Sequence, residues 1–318
     1  MKVSFINQYY RRFYKQHKPE IDKAIQSCLE IGSLMFGKET EKFEKNFAKF
    51  CKKKYCVSLN SGTTSINLAI ASLKSPHWIR QNYFYKIVPL LNSEQVKVDD
   101  EGVMDLKLLE EKIKKKKSSV LITYMNSVQP DLNELKRLKN KYKFYLVEDA
   151  CQAIGKPLIG DLSCFSFYPA KMLGGIGKGG AVVSNNLKLI TFIKKIRDDK
   201  FNNLWLDEIK TAFLNIKLKY LPENIKRRQE IADLYTKHLS GIKEIKILSK
   251  QCLQNYIVIT KKHKRLMAFL QRKNIEIFPD KSSFYAENLK NAIRLPIYSE
   301  LTNEEIFFVI RSIKEFYL

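Results

Sequence analysis

The sequence predicts an α/β protein: a three-layer, doubly wound, mostly parallel sheet followed by a smaller C-terminal α/β domain. Three observations carry this. Short apolar runs such as Ser119–Met125 and Phe144–Val147 are bounded by polar turns, the pattern of strands covered on both faces. Amphipathic stretches of helical period lie between them, and strand–helix–strand repetition at this spacing winds a parallel sheet. After Ser184 the pattern turns helical as far as Leu239, then strands and helices resume. The division is expected near the helices at 206–222, giving a large domain over residues 1–212 and a small one over 213–318.

Taken in order, residues 19–33 place Ile21, Ala24, Ile25, Cys28 and Leu29 on one helical stripe. Residues 38–52 do the same with Phe43, Phe47 and Phe50, which read as core. Cys56–Leu59 is a short strand, and Asn60–Thr64 turns into a helix over Ser65–Leu73. The aromatic stretch 74–100 reads as a short helix leading to a strand at Gln95–Val98. Helix Asp105–Ile113, strand Ser119–Met125, helix Asp131–Tyr142 and strand Phe144–Val147 follow. Two more strands are expected at Cys164–Tyr168 and Gly180–Ser184. Helices then run over Leu187–Arg197, Leu206–Tyr220 and Pro222–Leu239. The small domain reads as strand Asn255–Thr260, helix Lys264–Lys273, a strand near Ile275–Phe278 and helix Asn303–Phe316. Thr302 and Glu305 form a capping box for that last helix.

Composition narrows the function. With 318 residues and 45% hydrophobic content there is ample material for a folded core. No apolar run reaches the ~20 residues needed to span a bilayer. The basic N-terminus lacks the apolar segment of a signal peptide, so a cytoplasmic location and no membrane partner are expected. The six cysteines form no C-x-x-C pair and the four histidines do not cluster with them, which argues against a zinc site or disulfide framework. The net charge of +24 raises the alternative of a nucleic-acid-binding protein. Most of the excess is dispersed lysine, with one dense run at Lys112–Lys117, and nucleic-acid motifs are absent. Such a surface also attracts an anionic substrate such as a nucleotide diphosphate.

Candidate site residues cluster in FYLVEDACQAIGKPLIGDLSCFSFYPAKMLGGIGKGGAVV, residues 144–182. An apolar strand ends in Glu148-Asp149. A second strand leads through Pro169 to Lys171, ahead of a turn dense in glycine. A carboxylate and a lysine at the edges of adjacent strands suit a pyridine cofactor. The lysine can form a Schiff base with an aldehyde, and Asp149 can keep the ring nitrogen protonated. Asp149 could equally be a helix cap or a solvated acid. Gln152, one helical turn on, falls on the same side. Ser166 alternates with Phe165 and Phe167 and so faces away from them. Upstream, Ser61, Gly62 and Thr63 join a strand to a helix N-terminus, where free N–H groups and the helix dipole attract an anion. The glycine turn is not a P-loop, because Met172 stands where the first glycine belongs and Gly179 follows Lys178.

EDACQ, CFSFYPAK and GKGGAVVS resemble the signature of the DegT/DnrJ/EryC1/StrS sugar aminotransferases. The resemblance implies a fold-type I enzyme that uses pyridoxal 5'-phosphate. By it, Lys171 is the Schiff-base lysine and proton carrier, and Asp149 pairs with the ring nitrogen. Gln152 lies near the 3-hydroxyl, and Ser166 with Gly62 and Thr63 cups the phosphate. Trp78 resembles the family's ring-stacking aromatic, although a place in the core is the alternative. Asn203 lies in a segment that resembles the one reaching a partner subunit's phosphate, but Trp205 replaces the arginine usual there. The implied reaction takes an amino group from a donor such as glutamate to a nucleotide-linked keto-6-deoxy sugar, in a homodimer with shared active sites. FLNIKLKYLPENIKRRQEIADLY looks most like members acting on dTDP sugars.

The departures are deletions. A strand-forming piece looks missing between Leu73 and Pro76, and the segments after Gly155, after Arg197 and around Pro279–Ala286 are short. A trimmed, non-catalytic or altered-activity member of the same family is therefore the alternative within the fold.

Overall fold

The computed structural model describes every residue except 5–6, 83–92, 100, 200–201, 249–252 and 280–290. It contains two compact units. The larger comprises Pro19–Met125 and Gln129–Leu221. The smaller comprises Met1–Lys18, Asn126–Val128 and Pro222–Leu318.

A seven-stranded sheet organises the larger unit. Its strands are β1 (Tyr55–Leu59), β2 (Trp78–Gln81), β3 (Ser93–Val96), β4 (Ser119–Thr123), β5 (Leu146–Asp149), β6 (Leu162–Ser166) and β7 (Gly180–Ser184). They lie in the order β1-β7-β6-β5-β4-β2-β3. Only β7 is antiparallel to its neighbours. The carboxyl ends of the other six strands therefore share one edge, where α/β sheets bind ligands.

Helices cover both faces. On one, α3 (Gly62–Leu73) and α6 (Leu187–Arg197) bury Ile66, Ala69, Ile190 and Ile193 against Val57, Val147, Leu162, Cys164 and Val182. On the other, α2 (Lys38–Phe50) sets Phe47 edge-on to Phe165 and Phe167, with ring centroids 5.0 and 5.3 Å apart. The three phenylalanines spaced along α2 thus include two core residues, Phe43 and Phe47. Helices α4 (Leu106–Lys115) and α5 (Leu132–Tyr142) begin on Asp105 and Asp131, whose carboxylates each accept two backbone N–H bonds.

The smaller unit is built on an antiparallel sheet of β8 (Lys246–Ile247), β9 (Tyr256–Ile259), β10 (Phe278–Pro279) and β11 (Ala292–Leu295), in the order β10-β11-β9-β8. Against it pack α8 (His263–Arg272) and α9 (Asn303–Tyr317), and the capping box at Thr302 and Glu305 is formed as the sequence predicts.

The structure corrects several expectations. Residues 78–81 are a strand, not a helix. The two helices expected on either side of Pro222 are one, α7 (Glu208–Leu239). The first helix, α1 (Asn7–Ile31), starts well before residue 19 and has non-helical backbone at His17. The unit boundary falls at Leu221/Pro222 rather than 212/213, and Met1–Lys18 groups with the C-terminal unit. The reason is local pairing: Val3 bridges Ile275, Tyr9 joins that unit's core, and Arg12 binds Glu305 at 2.6 Å. The short stretch around Pro279–Ala286 lies almost wholly outside the described residues, as does Cys252. Among the described residues no helix is long and apolar enough to cross a membrane, and no cluster of His, Cys, Asp and Glu could hold a metal ion.

Candidate active site

Asp149 is the last residue of β5 and is buried. Strand alternation puts it on the face of Val147, the face covered by α3. Its Oδ1 accepts the backbone N–H of Cys151 at 3.1 Å. Burial pushes its carboxyl pKa up, because the charged form loses water. Hydrogen bonds from Cys151 and Thr123, and the nearby charge of Lys171, pull the other way without cancelling the rise. Lys171 therefore lies within electrostatic range of the acid.

Its neighbour Glu148 faces the opposite side and has a structural role. It accepts from Tyr124 Oη at 2.8 Å, the Ile159 N–H at 2.9 Å and Ser163 Oγ at 2.5 Å. Three donors satisfy a buried carboxylate that has no access to a ligand.

The lysine loop hangs from the end of β6. Ser166 Oγ accepts the Tyr168 N–H at 3.3 Å, and Tyr168 carbonyl accepts the Lys171 N–H at 2.8 Å. Phe167 carbonyl accepts the Gly175 N–H at 2.8 Å, closing the turn. Gly177 takes φ +106°, which a side chain rarely adopts. Behind the loop, Lys217 of α7 is 1% exposed and donates to Gly174 carbonyl at 2.9 Å.

The anion cup lies alongside. Ser61 caps α3 by accepting the Thr64 N–H at 3.1 Å. The first N–H groups of any helix have no partner within it. A Cβ on Gly62 would lie 2.7 Å from Ser166 Cβ and 3.0 Å from Cys151 Sγ, so only glycine lets the helix end come this close. Gly62, Ser166 and the turn after Asp149 thus form one wall. The Asn203 carbonyl accepts from Asn60 Nδ2 at 2.9 Å and the Leu204 carbonyl accepts the Asn60 N–H at 2.8 Å, which sets that backbone beside the cup. Asn203 itself is exposed, with φ 47°. Trp205, in place of the family's arginine, packs against Phe36 with centroids 5.5 Å apart.

Asp149, Gln152, Ser166, Lys171, Ser61, Gly62 and Thr63 accordingly come from one edge of the sheet. Gln152 is half-buried, its amide 3.9 Å from Met125 Sδ. Trp78 does not join them. It is the first residue of β2, 4% exposed, and packs with Leu121 and Val147. Three residues of strand, about 10 Å, separate it from the ligand edge. The aromatics that follow β2 in the sequence, Tyr83, Phe84 and Tyr85, lie outside the described residues.

Two neighbours of Asp149 escape a reading of the sequence. Thr123 ends β4 and pairs with Asp149 in register. Its N–H donates at 2.5 Å to Oε1 of the buried Gln81, whose Nε2 donates to Gly102 carbonyl at 3.0 Å. The available signal was a polar residue closing an apolar strand, the same signal that marks Asp149.

These residues fit a pyridoxal phosphate: a buried acid for the ring nitrogen, a lysine within its field, and a glycine-walled helix N-terminus for the phosphate. A model of the DegT/DnrJ/EryC1/StrS aminotransferase family matches residues 15–79 and 85–314. The chain is similar to dTDP-3-amino-3,6-dideoxy-alpha-D-galactopyranose transaminase of Aneurinibacillus thermoaerophilus, at 25% identity over 96% of this chain and 98% of that one. It is also similar to dTDP-3-amino-3,4,6-trideoxy-alpha-D-glucose transaminase of Streptomyces venezuelae, at 30% identity over 72% and 68%. The crystal structure of S. venezuelae DesV in complex with a ketimine intermediate superposes with a TM-score of 0.90, at 25% identity over 99% of this chain and 98% of that one.

Proposed function

Because this chain belongs to the DegT/DnrJ/EryC1/StrS aminotransferase family, whose chemistry depends on pyridoxal 5'-phosphate, we propose that it moves an amino group from glutamate to the keto carbon of a nucleotide-linked 6-deoxy sugar. The observation that carries this is the buried Asp149 in the field of Lys171, beside the N-terminus of α3. The named relatives act on dTDP sugars, which supports a nucleotide sugar as acceptor.

When bound, the cofactor supplies an electron sink for charge that develops on the amino-bearing carbon. The Asp149 carboxylate would hold a proton on the ring nitrogen, and the hydrogen bonds it accepts favour its charged form against the effect of burial. Lys171 Nζ takes a proton from the substrate carbon and returns one. Ser166 Oγ and the free N–H groups of Gly62 and Thr63 hold the phosphate. Gln152, in the turn that follows Asp149, would face the ring. Asn203 is proposed to reach the cofactor of a second copy.

A homodimer fits the apolar run Leu29, Ile31, Leu34, Met35 and Phe36, all exposed in the single chain. Exposed apolar side chains this close in sequence support an interface there. A cytoplasmic location fits the same reading.

The test is reduction of the cofactor-loaded protein with borohydride, followed by peptide mapping. The label is expected on Lys171 and lost in Lys171→Ala. Label elsewhere in the wild type overturns the assignment. A panel of keto-sugar nucleotides with glutamate then identifies the acceptor, and Phe36→Asp is expected to shift the sedimenting species to a monomer.

A further inference from the structure

The edge of the large sheet opposite the site carries the amino ends of six strands and the carboxyl end of β7. The turns on this edge are lysine-rich. Three lysines precede β1, one precedes β2, two precede β4, one precedes β5 and one follows β7. Among the described residues of these turns the single acid is Asp161, and it is bound to Lys139 at 3.0 Å. Lys52, Lys54, Lys116, Lys117, Lys143 and Lys188 are exposed and make no ion pair among the described residues.

Helix dipoles explain part of this pattern. Helices α2, α4 and α5 end on this edge, and each has lysine in its last turn, where a cation is favoured. They do not explain Lys54 or Lys117, which lie beyond the caps of α2 and α4, or Lys188, in the first turn of α6; Lys52, Lys116 and Lys143 sit at or next to helix C-caps. From β1 to β2 the row crosses five strand spacings, about 24 Å. Two apolar side chains stand among the lysines, Tyr145 at 50% and Leu187 at 55% exposure.

We propose that this edge docks on a membrane surface of anionic phospholipid. A row of flexible point charges with an aromatic and an aliphatic side chain between them matches lipid headgroups over a shallow apolar layer. Nucleic acid is matched less well, because these turns supply no guanidinium forks and one exposed aromatic ring. Docking here leaves the ligand edge facing away from the lipid. Peripheral attachment of this kind needs no spanning helix, and it does not depend on the proposed reaction.

The test is co-sedimentation of the cofactor-loaded protein with sucrose-filled vesicles, either pure phosphatidylcholine or containing one third phosphatidylglycerol. Binding is expected only to the anionic vesicles, and to fall as salt shortens the screening length. The triple variant Lys116→Gln, Lys117→Gln, Lys143→Gln is expected to partition about a hundredfold less, roughly fivefold per lysine. A control removes three exposed lysines of the smaller unit: Lys237→Gln, Lys243→Gln, Lys264→Gln. It has the same net charge and is expected to lose less than about threefold. Equal losses in the two variants overturn the proposal, since total charge would then govern binding. So does failure to bind anionic vesicles, or preference for duplex DNA at equal phosphate concentration.

Discussion

Asp149 bears two opposing demands. Its folded pKa lies above its unfolded one, chiefly through burial. For an acid shifted this way, stability declines as pH rises from the unfolded pKa through the folded one, and the deficit persists at neutral pH. Asp149→Asn keeps an acceptor for the Cys151 N–H but removes the charge. The cofactor-free variant is therefore expected to melt higher than wild type at pH 7, and the difference should vanish in acid. Transamination by the same variant should fall by roughly two to three orders of magnitude, because the ring nitrogen loses its counter-charge. Paired melting curves and initial rates check both halves. Lys217 gives a second expectation at this scale. Replacing it with Met strands Gly174 carbonyl, at a cost of about 1–3 kcal/mol. The readout is faster hydrogen exchange at the Gly175 amide, which closes the lysine loop. That much of the site was legible because Lys171, Asp149 and Ser166 stand at the ends of apolar runs. Thr123, Gln81 and Lys217 were not, since each is defined by a partner far away in the chain.

Among the elements, α9 shows how a local signal becomes a tertiary one. Thr302 and Glu305 complete their capping box, and Glu305 also binds Arg12 through both guanidinium nitrogens. Burial pushes the Glu305 pKa up, but the bonds from Arg12 and the Thr302 backbone outweigh it and leave it lowered. For a lowered acid the stabilisation is present above the unfolded pKa and lost as pH falls through the folded one. Glu305→Gln is therefore expected to flatten the acid limb of the stability curve, and Thr302→Ala to cost about 1 kcal/mol at neutral pH. Denaturant titrations at several pH values measure both. The elements misread from sequence have particular causes. Trp78–Gln81 ends in a glutamine that looks exposed but is buried, with partners on Thr123 and Gly102. Pro222 looks like a helix break, yet α7 runs through it, with Phe213 and Leu214 on one side and Ile231 and Tyr235 on the other all buried. Strands β8 and β11, two and four residues long, are too short to show a period.

For the whole molecule, charge is the dominant global term. A net +24 repels itself in the compact state, and salt screens that repulsion. The melting temperature is expected to rise by roughly a few degrees between low salt and ~0.5 M salt. A fall would mean that local ion pairs such as Arg12–Glu305 outweigh the global repulsion. The sequence places a boundary near residues 206–222, whereas the compact units divide at Leu221/Pro222 and set Met1–Lys18 and Asn126–Val128 with the C-terminal part. Both helices that pass from one unit to the other do so at a proline, Pro19 in α1 and Pro222 in α7. The N-terminal eighteen residues read as a prelude to the large domain because their partners, Ile275 and Glu305, come at the far end of the chain.

The reversed strand β7 has a consequence for how this chain could be shortened. Its first residue, Gly180, sits opposite Leu59 on one side and Ser166 on the other. One residue thus acts as the common datum for the anion cup and the lysine loop. Slipping that register would displace both at once, whereas trimming peripheral loops leaves the datum untouched. Lineages could prune such loops freely and still keep the two halves of the catalytic centre aligned.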